Sequence, residues 1–156
     1  MKKSFFLLII CFLLIGCSNN KLSIKHTSWL LNNDTEMVLE KQECRWYLGN
    51  NYDDNYYFGN YEFYVEDDAI EFITSLDEYN ITDKDIKKLF STNDQYSKEN
   101  FIVINYNING KILNNELIES DRDSVLFYGF SLKDNTFLTL FDAKYNIYYD
   151  FLKKDE

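Results

Sequence analysis

Apolar and polar positions alternate with a period of two along most of this chain after residue 26, a pattern that predicts strands. Short runs at residues 29–31, 37–39 and 45–48 are separated by Asn-Asn-Asp and by Lys-Gln-Glu. A longer run covers residues 56–65, where Tyr57, Gly59, Tyr61, Phe63 and Val65 share one face and more polar neighbours the other. Residues 101–108 repeat the pattern through Ile102, Ile104, Tyr106 and Ile108. Asn109-Gly110 is then expected to turn the chain back into residues 111–113, because both types tolerate positive φ. Runs at 125–132, 137–141 and 145–151 complete the series, with a further turn at Asp134-Asn135. Links this short make sequential strands antiparallel.

The period changes to three and four between the fourth and fifth strand groups. Ala69, Phe72, Ile73, Leu76 and Tyr79 form an amphipathic stripe, with Asp68 and Glu71 placed to cap it. A second, shorter helix is expected to start at Thr82-Asp83-Lys84-Asp85 and to present Ile86, Leu89 and Phe90 to the same side. The pair is expected to cover an apolar sheet face or plug a barrel mouth. The fold class is therefore α+β: a mainly antiparallel sheet or small, partly open barrel of about eight or nine strands, with a helix pair inserted near residues 67–90.

Residues 1–16 break with all of this. Lys2 and Lys3 precede an almost wholly apolar run at 5–15, which as a helix rises only about 16 Å against a hydrocarbon core of about 30 Å. A cleaved export signal fits that length better than a spanning helix. Leu14-Ile15-Gly16-Cys17 resembles the lipobox of bacterial lipoproteins. The resemblance implies cleavage after Gly16, a diacylglyceryl thioether on Cys17, an acyl group such as palmitate on its new amino terminus, and retention at the extracytoplasmic face of the cell membrane. Residues 17–25 then read as lipidated Cys and polar tether, and residues 26–156 as a single β-rich domain. Within that domain, Tyr57-Phe58-Gly59-Asn60-Tyr61-Glu62-Phe63-Tyr64, Ala69-Ile70-Glu71-Phe72-Ile73, Tyr79-Asn80-Ile81-Thr82 and Tyr96-Ser97-Lys98-Glu99-Asn100-Phe101 resemble a group of uncharacterised small envelope lipoproteins of low-GC Gram-positive bacteria. That resemblance brings no catalytic residue with it. Trp29 is also similar in place to the early Trp of lipocalin-like small barrels, with Thr27 where those have Gly.

Composition sharpens the picture. The 156 residues suit one domain, and 46% hydrophobic residues with 13 Tyr and 13 Phe supply a packed core. Loss of residues 1–16 removes Lys2 and Lys3 and no acid, so the formal charge moves from −10 to −12, which disfavours nucleic acid as a partner. Of the three Cys, Cys11 leaves with the signal and Cys17 carries the lipid, so Cys44 alone keeps a thiol and no internal disulfide can form. Cys44 is expected to be a small, half-buried strand residue.

Chemistry is sparse. His26, the single His, stands where tether meets domain and reads as an ordinary surface residue. No phosphate loop, nucleophile elbow or zinc helix occurs, so no catalytic residue, resident metal or cofactor is assigned. The paired acids Asp53-Asp54, Glu66-Asp67-Asp68 and Asp121 with Asp123 could serve a hydrolase if two of them faced one another across a cleft, but turns and helix starts also favour Asp. Calcium would suit the oxygen-rich stretches 50–55 and 120–123, although neither has the EF-hand ligand order. The segment most like a binding surface is the aromatic and amide-rich one containing Trp46, Tyr47, Asn50, Tyr52, Asp53, Asp54 and Tyr56. Rings there could stack on the apolar faces of an envelope saccharide or peptide while Asn and Asp hold its polar groups. The reading is a lipid-anchored binding or accessory protein, more in keeping with these residues than an enzyme. Its alternatives are an envelope hydrolase and an immunity-type accessory lipoprotein that binds another protein through an exposed aromatic patch.

Overall fold

The computed structural model describes residues 22–31, 35–49 and 55–154. The lipobox, Gly16 and Cys17 lie outside these, as do Asn50, Tyr52, Asp53 and Asp54 of the aromatic segment. Nine strands form: β1 (Thr27–Leu31), β2 (Thr35–Leu39), β3 (Glu43–Tyr47), β4 (Asn55–Val65), β5 (Phe101–Leu113), β6 (Glu116–Ile118), β7 (Ser124–Leu132), β8 (Phe137–Asp142) and β9 (Tyr148–Lys153). All pairings are antiparallel. β4 pairs with β5 and β1 with β9, so eight strands close into a barrel and only β6 stands outside the ring, hydrogen-bonded to the far end of β5. The barrel is closed rather than partly open, and the molecule is mostly β.

Period-two alternation fills the inside. Trp29, Met37, Cys44, Trp46, Tyr57, Tyr61, Ile102, Ile104, Tyr106, Phe127, Leu138 and Phe151 meet there in one buried cluster. The folded unit begins earlier than residue 26, because Ile24 is fully buried in this cluster and Leu22 packs against it. Thr27 Oγ1 donates to the carbonyl of Ile24 and accepts from Trp29 Nε1 at 2.8 Å, so the Thr hydroxyl pins the entering chain to the core.

Two helices, α1 (Glu66–Thr74) and α2 (Asp83–Phe90), join β4 to β5. They cover an outer sheet face rather than plug a mouth: Ala69, Ile73 and Ile86 bury against Phe101, Val103, Leu126 and Phe130, the outward residues of β5 and β7. Leu76 and Tyr79 pack there too, from the turns beyond α1. Thr82 caps α2 with Asp85 returning the bond to the Thr82 amide, the full capping box. The expected cap at Asp68 and Glu71 is not made. α1 starts at Glu66 directly from the extended Val65, without a side-chain cap, and the acids Glu66, Asp67 and Asp68 occupy its positive end instead.

A second correction concerns Asn109-Gly110. β5 runs straight through both residues, and the hairpin turn lies at Asn114-Asn115, with φ of 52° and 63°. Pairing with Phe58 of β4 holds Gly110 extended, and Asn109 is absorbed as a bulge where the register shifts between Phe58 and Gly59. The Asp134-Asn135 turn forms as expected, together with Lys133. The last strand starts at Tyr148 rather than 145, since residues 143–147 form the connecting turn. A chain with five Gly makes its reversals largely with Asn: five Asn among the described residues have positive φ.

The up-and-down order puts the entering chain, the β2–β3 link, the start of α1 and Lys154 at one end of the barrel. The β5–β6 turn, residues 119–123 and the β8–β9 turn lie at the other.

Candidate functional site

Alternation along β3 sends Cys44 and Trp46 inward and Glu43, Arg45 and Tyr47 outward. The aromatic segment is thereby divided between two sides of the barrel wall. Trp46, 7% exposed, is a core residue, with the rings of Phe127 and Tyr149 at 5.4 and 6.1 Å. Its Nε1 has no hydrogen-bond partner among the described residues. Tyr47 and Tyr56 are directly paired across β3 and β4 on the outside, 5.1 Å between ring centroids, and Tyr56 continues to Phe58 at 6.3 Å. The Arg45 guanidinium lies 5.9 Å from the Tyr56 ring centre.

The outer strip extends where the sequence showed no site. Phe58 is paired with Gly110 and Tyr56 with Ile112, and Ile112 is in turn paired with Leu117 of β6. A groove of about 430 Å³ opens over this surface, lined by Arg45, Tyr56, Phe58, Ile112 and Leu117. A Cβ on Gly110 would come within 2.8 Å of the Phe58 ring, so the glycine lets that ring lie flat on the sheet. Leu117 is 70% exposed, the most exposed of the large apolar side chains, and Leu48, Leu113 and Ile118 beside this end are exposed as well. The helices that cover the outer face of β5 and β7 do not reach here. Only Asn114-Asn115, with Leu117-Ile118 one residue beyond, could have signalled β6.

The paired acids take up local tasks. Asp67 is bonded to Lys98 at 3.1 Å. Asp121 accepts from the Tyr57 hydroxyl at 2.7 Å, with Lys111 at 4.0 Å, and the Tyr57 bond foremost holds its carboxyl below the usual range. Asp121 and Asp123 share with Glu78 a cleft of about 480 Å³, in which Arg122 and Lys144 both approach the ring of Tyr145. A depressed carboxyl suits an acceptor and not a general acid. In the calcium-like stretch 120–123, the Ser120 hydroxyl donates to the Arg122 carbonyl and accepts from the Arg122 amide, which is turn chemistry. His26 is exposed and its Nδ1 lies 3.0 Å from Glu40. Among the described residues no three His, Cys, Asp or Glu side chains come together as a metal site, and no helix is long and apolar enough to cross a membrane.

Cys44 is fully buried rather than half-buried, and the Tyr106 hydroxyl donates to its carbonyl oxygen at 3.3 Å. Burial, foremost, raises the pKa of both the Cys44 thiol and the Tyr106 phenol and keeps them protonated. An unfolded thiol ionises near about pH 8.5 and the folded one does not. The unfolded state therefore binds fewer protons above that pH, and stability is expected to fall as pH rises, by about 1.4 kcal/mol per unit at most from this one thiol. Urea melts at pH 7, 9 and 10 measure the slope, and Cys44→Ala should flatten it between pH 8.5 and 10. At pH 7 the melting temperature should be the same with and without reductant.

The chain matches no protein-family model, no curated protein and no solved structure. What its site can do is read from its own geometry: an aromatic and aliphatic strip, uncovered among the described residues, on the outside of a filled, closed barrel.

Proposed function

We propose that this is a lipid-anchored extracytoplasmic protein that works by binding, an accessory lipoprotein whose partner is another protein. The anchor rests on Lys2-Lys3, the apolar run and the lipobox residues up to Cys17. The observation that carries the binding role is the strip of half-buried Tyr56, Phe58 and Ile112 ending on the exposed Leu117, since a contiguous apolar surface is the mark of a protein partner. The engagement of Asp121 by Tyr57 favours this over a hydrolase built on paired carboxylates.

Geometry supports the two parts together. Leu22 already packs on the barrel, so the acylated Cys17 is no more than about 18 Å of extended chain from it. The tether meets the barrel end where β4 passes into α1, and the strip lies toward the opposite end, beside the β5–β6 turn. A barrel held this way turns its apolar strip away from the bilayer.

Cys17→Ser is expected to abolish incorporation of labelled palmitate and to leave an unprocessed precursor. Continued acylation of that variant would overturn the anchor.

A further inference from the structure

We propose that the cleft between residues 120–124, the turn at Glu78-Tyr79 and the β8–β9 turn binds a small zwitterion of the amino-acid class, a free amino acid or a short peptide with both ends charged. The cleft shares no lining residue with the outer strip, and the proposal depends on neither the strip nor the anchor.

The balance of charge points to this ligand. Glu78, Asp121 and Asp123 line the cleft together with Arg122 and Lys144. Asp121 is already engaged by the Tyr57 hydroxyl at 2.7 Å and by Lys111 at 4.0 Å. Two acids and two bases remain, and none of the four is in an ion pair among the described residues. Opposite charges thus share about 480 Å³ without closing on one another.

The two cations are grouped. The Arg122 guanidinium and the Lys144 ammonium lie 5.9 and 5.4 Å from the centre of the Tyr145 ring, so like charges converge on one side chain with no carboxylate paired to either. Their mutual repulsion is relieved when a carboxylate comes between them. Glu78 has a different neighbour, the Tyr79 hydroxyl, which Ser124 also contacts. A simple anion meets Glu78 and Asp123 as like charges, and a simple cation meets Arg122 and Lys144. A molecule with one charge of each sign satisfies both sets.

The backbone beneath these groups is pinned before any ligand arrives. The buried Asp142 carboxylate accepts from the amides of Lys144 and Tyr145 at 2.9 and 3.0 Å. Ser120 bonds both the amide and the carbonyl of Arg122, and the Asp123 carbonyl accepts from the Ile108 amide of β5 at 2.9 Å. Groups held this way lose little freedom on binding. The exposed ring of Tyr145 and the methyl of Ala143 give an apolar wall for the carbon atoms between the two charges.

The test is an NMR titration of the isotope-labelled full chain in detergent micelles. Its ligands are alanine, alanyl-alanine, alanyl-alanine amide, which lacks the carboxylate, and N-acetyl-alanyl-alanine, which lacks the ammonium. Alanine or alanyl-alanine should bind about tenfold more tightly than either blocked peptide, as expected for loss of one charge-assisted contact, and the tighter of the two tells a free amino acid from a peptide. Amide shifts should centre on residues 120–124 and 143–146. Lys144→Gln should erase the preference for a free carboxylate and keep that for a free ammonium, and Asp123→Asn should do the reverse. Both side chains are exposed, so the melting temperature should not change. Lys88→Gln, on α2 outside the cleft, should leave binding as it was. Equal binding of free and blocked ligands, shifts centred elsewhere, variants that weaken every ligand alike, or no binding would each overturn the proposal.

Discussion

Trp46→Ala is expected to lower the stability of the barrel by about 3–5 kcal/mol, the range for emptying a buried indole site. The lost contacts are the rings of Phe127 and Tyr149, which lean on Trp46 from across the barrel. Trp46→Phe should cost far less. It keeps most of the apolar volume and removes a buried N–H that has no acceptor, and an unpaired buried donor itself costs about 1–3 kcal/mol. Chemical denaturation of the three proteins at pH 7 checks the order. A Phe variant as damaged as the Ala variant would mean that the indole nitrogen is bonded in solution.

Gly59→Ala should be at least as disruptive. A Cβ at this position would fall 1.9 Å from the carbonyl oxygen of Asn107, which is backbone and cannot rotate away. Relief requires β4 and β5 to separate at the bulge, where the register already shifts. A loss of about 3 kcal/mol or more is expected, roughly 10 °C in melting temperature. Gly110→Ala makes a useful contrast, because there the Cβ meets the Phe58 ring, a side chain that can turn aside.

Much of the barrel was legible because period two and burial agree. The inward sets 57, 59, 61, 63, 65 and 102, 104, 106, 108 are those that face the core. The helix stripe was legible for the same reason, and Thr82 with Asp85 marked the start of α2 through chemistry that acts within four residues. The Asn109-Gly110 turn does not form because its preference is local, whereas β4 pairs with Ile108 before it and with Gly110 to Leu113 after it and so fixes the path of β5. Five residues farther on, where the backbone ladder with β4 has ended, Asn114-Asn115 turns by the same tolerance of positive φ.

The binding surface was harder to see. Trp46, Tyr47 and Tyr56 share a composition, and composition does not say which side of a wall a ring occupies. Parity does, and Glu43 and Arg45 put Trp46 on the inner side, but an aromatic Tyr47 where the outer face would be polar hides the alternation. The Leu117 end of the strip comes from a strand of three residues with no alternation to detect, joined to Phe58 only through the pairing of three strands.

The closure of β1 against β9 sets the order in which the molecule can be made. Leu31 pairs with Phe151, so the first strand to emerge from the ribosome waits about 120 residues for its neighbour. Until that moment the nascent chain has two raw edges, one on β1 and one on whatever strand is last, and each invites pairing with another copy. A product truncated before Tyr148 would keep both edges permanently, with most of its aromatic interior already synthesised. Premature termination near the carboxyl end is therefore more hazardous for this chain than an early stop, and a quality-control protease gains most by acting on chains that lack only their final strand.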